Sequence, residues 1–343
     1  MWHGTTNAWA RILAIALVLC LMALVAGKVW LDATYFDGYD PKAPLHPQVV
    51  VVEERSAYTW TKFYYAGAHG DRVPAVMATP RDSPAPFPCV VFLHGIGNDK
   101  EFMARNRLDE PFVKAGFAFV CFDQLMRGER KQKGGLHALA AFRIRASRTV
   151  NDTRRLIDYL VTRPDIATNR IYLCGASYGA MTGSTATAFD PRICAAVLVY
   201  GGGSVTKLLS SPAAAEEAGK WRHGLRLLAW YFSSVWDPVR HVAAISPRPV
   251  LIQNGKADTV IPPECARALQ NAALEPKTIK WYEGDHLGKT RELDLPVVHT
   301  VLADAVEFLK EQDARRSRGL SHRHDVQTVS ANRLATSLPG LYH

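Results

Sequence analysis

Short, mostly apolar runs alternate with longer periodic stretches through most of this 343-residue chain. The runs fall at 90–93, 117–122, 171–174, 193–199, 250–253 and 279–282, reading VVFL, FAFVCF, IYLC, ICAAVLV, VLIQ and IKWY. Runs without regular polar alternation are expected of strands covered on both faces, the usual condition of a parallel sheet. Between them the period changes to 3.6. Val150, Thr153, Ile157, Leu160 and Val161 share one helical stripe, and Val298, Val301, Leu302, Ala305, Phe308 and Leu309 share another. Upstream, 49–52, 62–65 and 72–79 flank the His69-Gly70-Asp71 turn and predict antiparallel strands. The alternation predicts an α/β fold: a mostly parallel, doubly wound sheet flanked by helices.

Three segments break this rhythm. Residues 12–27 (ILAIALVLCLMALVAG) carry no charge and are bracketed by Arg11 and Lys28. Sixteen residues lie between a signal-peptide apolar region and a full membrane span, and Val25-Ala26-Gly27 offers small residues for cleavage. Residues 1–31 are therefore expected to anchor the chain in a membrane or to direct its export, which places it in the cell envelope. Residues 201–247 hold no strand candidate but concentrate aromatics, Trp221, Trp230 and Trp236 among them. An insertion there is expected to form a helical cap over the strand ends, with these tryptophans walling a substrate pocket, burying the cap on the domain, or touching the bilayer. Residues 313–343 are polar and nonperiodic, with five arginines against two aspartates, and are expected to be a disordered basic tail. That leaves 48–312 as the main domain.

Composition narrows the class. A formal charge of +9 comes with no interleaving of basic and aromatic residues on one element, so nucleic acid is not an expected partner. Arg127, Arg130, Lys131, Lys133, Arg143, Arg145 and Arg148 read as scattered charge that aids solubility or attraction to anionic lipid. The six cysteines form no C-x-x-C pair, and most fall in strand candidates, as buried small hydrophobes do.

The candidate chemistry lies where the strand 171–174 meets a small-residue helix start. Gly175-Ala176-Ser177-Tyr178-Gly179 spells G-x-S-x-G, the sharp turn that lifts a serine above a sheet. A serine hydroxyl needs a base, and the base needs an acid to orient it. Asp258 follows the 250–253 strand and His286 follows the 279–282 strand, both in the chain order that such turns require. Asp237, Asp285 and His299 are weaker rivals by position. Oxyanion donors are expected at the Tyr178 N–H and at Ile96, in His94-Gly95-Ile96-Gly97, with Gly97 as the alternative and His94 as a structural residue.

FLHGIGNDK, FDQLMRGER, DYLVTRPDI, RIYLCGASYGAM and SPRPVLIQNGKAD, in that order and spacing, resemble the α/β-hydrolase superfamily across about residues 49–311. Within it they are most similar to the branch of dienelactone hydrolases and acetyl xylan esterases. Ala180 and Ala167 depart from the pattern common in that branch, and a serine nucleophile argues against dienelactone hydrolysis itself. The resemblance implies a serine esterase acting on a small-molecule carboxylic ester, needing no metal or organic cofactor. An amidase or peptidase of the same fold, and a catalytically inactive membrane-associated binding protein, are the rival expectations.

Overall fold

A computed structural model describes residues 3–131, 136–208, 227, 230–232, 234–287 and 293–336, with the backbone alone at 3–8, 136–143 and 319–336. Its centre is a sheet of nine described strands: β1 (Gln48–Glu54), β2 (Tyr58–Ala66), β3 (Arg72–Pro80), β4 (Phe87–Leu93), β5 (Ala118–Phe122), β6 (Ile166–Ala176), β7 (Ile193–Val199), β8 (Val250–Gly255) and β9 (Lys277–Tyr282). They lie in the order β1-β2-β3-β5-β4-β6-β7-β8-β9. The first three pair antiparallel, β3 joins β5 antiparallel, and every pairing from β5 through β4 to β9 is parallel.

The described helices are α1 (His3–Ala33), α2 (Phe102–Arg105), α3 (Glu110–Lys114), α4 (Leu136–Leu160), α5 (Tyr178–Phe189), α6 (Val205–Leu208), α7 (Pro263–Ala272) and α8 (Leu295–Thr336). All seven residues of β4 and of β7 are buried, as their unbroken apolar runs predict. Successive β4 side chains serve two cores. Cys89, Val91 and Leu93 join Leu156, Ile157 and Leu160 of α4 and Ala186 of α5, while Val90 and Phe92 join Phe112 of α3 and Val301, Leu302 and Leu309 of α8. Each such side chain withdrawn from water stabilises the fold by about 1.5–3 kcal/mol, so the alternation in β4 fixes which helices cover which face. The outermost strand β1 is exposed along its length and ends in Glu53 and Glu54, charges that discourage further pairing.

Contacts reach past residues 48 and 312 at both ends of the domain. Residues between α1 and β1 are built into the body: the Phe36 ring meets Phe189 at 4.9 Å and His241 at 5.5 Å, and buried Arg155 donates to the carbonyls of Asp40, Ala43 and Pro44 at 2.7–3.1 Å. At the other end the chain continues as helix to Thr336 where an irregular tail was expected from Asp313. Asp313 accepts from Arg170 Nε at 2.8 Å and from the Tyr172 hydroxyl at 2.9 Å, and Arg316 bonds the carbonyl of Asn169. These partners on β6 hold the helix past the end of its apolar stripe.

In the cap region the described parts are α6 and short 3-10 turns at Ser234–Trp236, Pro238–Arg240 and Val242–Ile245. The Asp237 carboxylate accepts from the N–H groups of Ser204 and Val205 at 2.9 and 2.7 Å and so ties the 3-10 turns to the start of α6. Helix α1 contains a stretch, Trp9–Ala33, long and apolar enough to cross a membrane, none of it buried.

Candidate active site

Ser177 stands between β6 and α5 at φ 55° and ψ −119°, a conformation that costs a non-glycine residue on the order of 1–3 kcal/mol. Its neighbours make the turn possible. A Cβ on Gly175 would lie 2.3 Å from the Gly179 carbonyl oxygen, and one on Gly179 would lie 1.9 Å from that of Leu93. The glycines are therefore dictated by the packing of the turn on β4. The Ser177 N–H donates to the Val199 carbonyl of the neighbouring strand at 2.8 Å, which fixes the turn to the sheet.

The other two candidates converge on it. Asp258, in the loop after β8, is buried, and its Oδ1 accepts from the N–H groups of Val260 and Ile261 at 2.9 and 2.7 Å. Its Oδ2 is left for His286, 2.7 Å from Nδ1. On the opposite side of the ring, Nε2 lies 2.9 Å from Ser177 Oγ. With the proton on Nδ1 donated to Asp258, Nε2 is free to accept the serine proton, the tautomer a general base requires. Tyr200 supports the imidazole edge-on at 5.8 Å between centroids. The rivals lie elsewhere. Asp285 accepts from Thr259 N and Oγ1 at 2.8 and 2.9 Å and joins the two loops, Asp237 serves the cap, and His299 is exposed on α8.

Ser177 and His286 open on a cavity of about 280 Å³, with Gly95, Ile96 and Gly97 in its wall. The Tyr178 N–H, first in α5, has no intrahelical acceptor. Gly97 has open space where a Cβ would sit, so crowding does not demand glycine there. A deeper apolar chamber of about 40 Å³ shares Phe102, Ala176, Leu287 and Leu293 with the main cavity. His94 is fully buried, with Nδ1 2.8 Å from the Gly95 carbonyl, and burial pushes its pKa down to about 4. It is therefore held neutral at pH 7.

The tryptophans part company. Trp236 meets the Tyr178 ring at 6.2 Å, edge to face, next to Ser177. Trp230 lies instead in a separate groove with Leu24, Val25 and Lys28 of α1, so it belongs to the contact with that helix and not to the Ser177 cavity. Trp221 lies outside the described residues.

Sequence reading missed the charged framework behind the site. Asp123 accepts from both the N–H and the Nζ of Lys100, at 2.9 and 3.0 Å, and Arg130 pairs with Asp152 at 2.8 Å. Against the upward push of partial burial, hydrogen bonds from Lys100, Lys62 and Tyr64 hold Glu129 at about 2. Arg130 and Arg145, expected in solvent, are buried side chains. A signal existed: Arg145, Thr149, Asp152 and Leu156 follow helical spacing, and all four are buried on one stripe of α4.

Comparison with known proteins agrees with this architecture. The sequence profile described as X-Pro dipeptidyl-peptidase (S15 family) matches residues 69–285, more than half of the chain. The chain belongs to the S15 family. It is thus a hydrolase of the α/β-hydrolase fold. This S15-family chain is 25% identical to the esterase YjfP of Escherichia coli (strain K12) over 196 residues, 55% of this chain and 76% of that protein. Acetyl xylan esterase 1 of Thermoanaerobacterium sp. JW/SL YS485 superposes with a TM-score of 0.63 at 19% identity, covering 83% of this chain and 93% of that one. The acetyl xylan esterase of Paenibacillus sp. R4 superposes at 0.65 and 19%, covering 82% and 93%. At that identity the two structures speak for the fold.

Proposed function

We propose that this chain is a serine esterase that cleaves carboxylic esters of short acyl groups through an acyl-Ser177 intermediate. The observation that carries the reading is the continuous relay from Asp258 Oδ2 to His286 Nδ1 and from His286 Nε2 to Ser177 Oγ, at 2.7 and 2.9 Å, opening on a cavity. Esterase YjfP, the relative in Escherichia coli, supports ester chemistry. Ser177 attacks the ester carbonyl carbon as His286 takes its proton, and Asp258 stabilises the imidazolium that forms. The N–H groups of Tyr178 and Ile96 receive the oxyanion, a contribution of about 2.7–4 kcal/mol per donor. His286 then protonates the leaving alkoxide, and water repeats the sequence on the acyl-enzyme, releasing the acid. The 40 Å³ apolar chamber beside Ala176 takes the acyl group, and its small size favours a short one.

The test is a panel of 4-nitrophenyl esters from acetate to octanoate, with the Ser177→Ala protein as control. The reading requires turnover that falls with acyl length and vanishes in the variant. A second reading, peptide cleavage, is favoured by the description of the family as X-Pro dipeptidyl-peptidase. An Ala-Pro-4-nitroanilide cleaved faster than any ester would replace the first reading with the second.

We further read α1 as a retained membrane anchor in the cell envelope. Lys28 bonds Ser234 at 3.0 Å and lies over the Trp230 ring, and the Tyr231 hydroxyl donates to the Leu24 carbonyl at 2.8 Å, so the end of α1 is fastened to the cap. Release of the intact-mass protein from membranes by detergent, and not by alkaline carbonate, is the expected outcome. A mature chain beginning near Lys28 would refute it.

A further inference from the structure

Arg145 is 3% exposed, and its guanidinium lies 4.5 Å from the ring centroid of Tyr178, the residue that follows the nucleophile. Its Nε and Nη2 have no hydrogen-bond partner. Among the described residues no carboxylate answers it: the charged and polar groups acting on it are the Tyr178 phenol and a second cation, Arg127. Arg127 is half-buried, its Nε is likewise unpartnered, and it enters no ion pair among the described residues. Among the described residues, two guanidiniums close enough to act on one another thus lack an anion beside the serine turn.

Among the described residues the other fully buried cations are answered by carboxylates. Of the other deeply buried cations, Lys100 meets Asp123 at 3.0 Å and Glu129 at 2.7 Å, and Arg155 meets Asp158 at 3.0 Å and three carbonyls besides. A buried guanidinium stays charged, and without a partner it is among the least favourable groups a core can hold. Groups held against their own stability are found where a ligand completes them. The place fits, since Arg127 follows β5 and Tyr178 follows β6, at the carboxyl edge where such sheets take ligands.

We propose that Arg145 and Arg127 bind a carboxylate, or an equivalent oxyacid group, carried on the alcohol portion of the ester. The proposal rests on the esterase reading above and names its substrate class. Arginine presents a planar fork that matches a carboxylate, and stacking on Tyr178 holds that fork in place. The alcohol portion is assigned because the chamber on the other flank, lined by Phe102, Leu287 and Leu293, is apolar and about 40 Å³. A charged acyl group has no place there.

The experiment compares kcat/KM for 4-acetoxybenzoate and its neutral counterpart 4-acetoxybenzamide, each divided by its rate with hydroxide, in the full-length protein and in Arg145→Met, Arg127→Met and Arg145→Lys. A parallel pair, the 4-nitrophenyl monoester of succinate against 4-nitrophenyl butyrate, places the charge on the acyl side. Labelling of Ser177 by a fluorophosphonate is measured on the same samples. The expected result is a preference of tenfold or more for 4-acetoxybenzoate, falling at least fivefold in each Met variant and kept in part by Arg145→Lys. Arg127 is only half-buried, so its variant reports even where Arg145→Met fails to fold. Labelled Ser177 with equal ratios in all proteins would overturn the proposal and leave the esterase reading standing. A preference confined to the succinate pair would overturn the assignment to the alcohol portion. Absence of labelling in the folded full-length protein would remove both.

Discussion

The two flanks of Ser177 are built differently. On the His286 side the polar groups are matched: Asp258 spends one oxygen on two backbone N–H groups and the other on His286, which meets the serine. On the Tyr178 side buried Arg145 and half-buried Arg127 carry unpartnered donors. On the proposed reading the difference separates machinery from recognition. A relay that must hold one geometry through the reaction is satisfied before substrate arrives, whereas groups that select a substrate stay unsatisfied until it does. Charge alone does not mark the distinction, because Lys100 and Arg130 on the same edge are buried and fully paired.

The matched flank is the place to break the comparison hardest. Ser177→Ala is expected to lower kcat/KM by a factor of about 10⁴ or more, and Asp258→Asn by about 10⁴, because the wrong imidazole tautomer then faces the serine. Steady-state kinetics on a short-chain ester checks both, and an Asp258→Asn protein with near-normal kcat/KM would dissolve the relay.

Cations come next. Lys100→Met strands the fully buried Asp123 and is expected to cost about 3–5 kcal/mol by denaturant unfolding. Arg145→Met removes a cation that no described carboxylate answers, so its unfolding midpoint is expected to equal or exceed that of the parent protein. If Arg145→Met proved as destabilising as Lys100→Met, the two flanks would not differ in kind.

His94 sharpens the picture through pH. Its pKa of about 4 in the fold lies below the ordinary 6.5, so between these values the unfolded chain binds the proton and the native one does not. Stability from this residue is complete above pH 6.5 and is lost as pH falls towards 4, by about 3 kcal/mol. Unfolding free energies between pH 7 and 4.5 are expected to fall less steeply in His94→Gln; parallel slopes would refute the assignment. The smallest effect is on acyl choice. Phe102→Ala, which opens the chamber, is expected to raise the butyrate-to-acetate ratio of kcat/KM a few-fold.

Much of this was legible in the chain. The apolar runs foretell six parallel strands, and the chain order of Ser177, Asp258 and His286 picks out three side chains that the fold does bring together. Asp285 was the harder discrimination, and its carboxylate proves to be engaged by Thr259. Other features left no periodic trace. Residues 34–47 are held by single contacts, such as Phe36 on Phe189 and carbonyls on Arg155, and polar residues satisfied one by one write no pattern into a sequence. The α8 extension is fastened through Asp313, a residue that reads as surface charge. Arg145 was hidden differently: an arginine on a helix is taken for solvent-facing, and only its spacing with Thr149, Asp152 and Leu156 betrays burial.

The central claim is that Ser177 is an activated nucleophile, and the most direct measurement is the site of a fluorophosphonate adduct in the folded full-length protein at neutral pH, read by intact and peptide mass. The account predicts one adduct, on the peptide holding Ser177, absent from Ser177→Ala and slowed by Asp258→Asn. A folded protein that takes no adduct, or takes it on another residue, would contradict it.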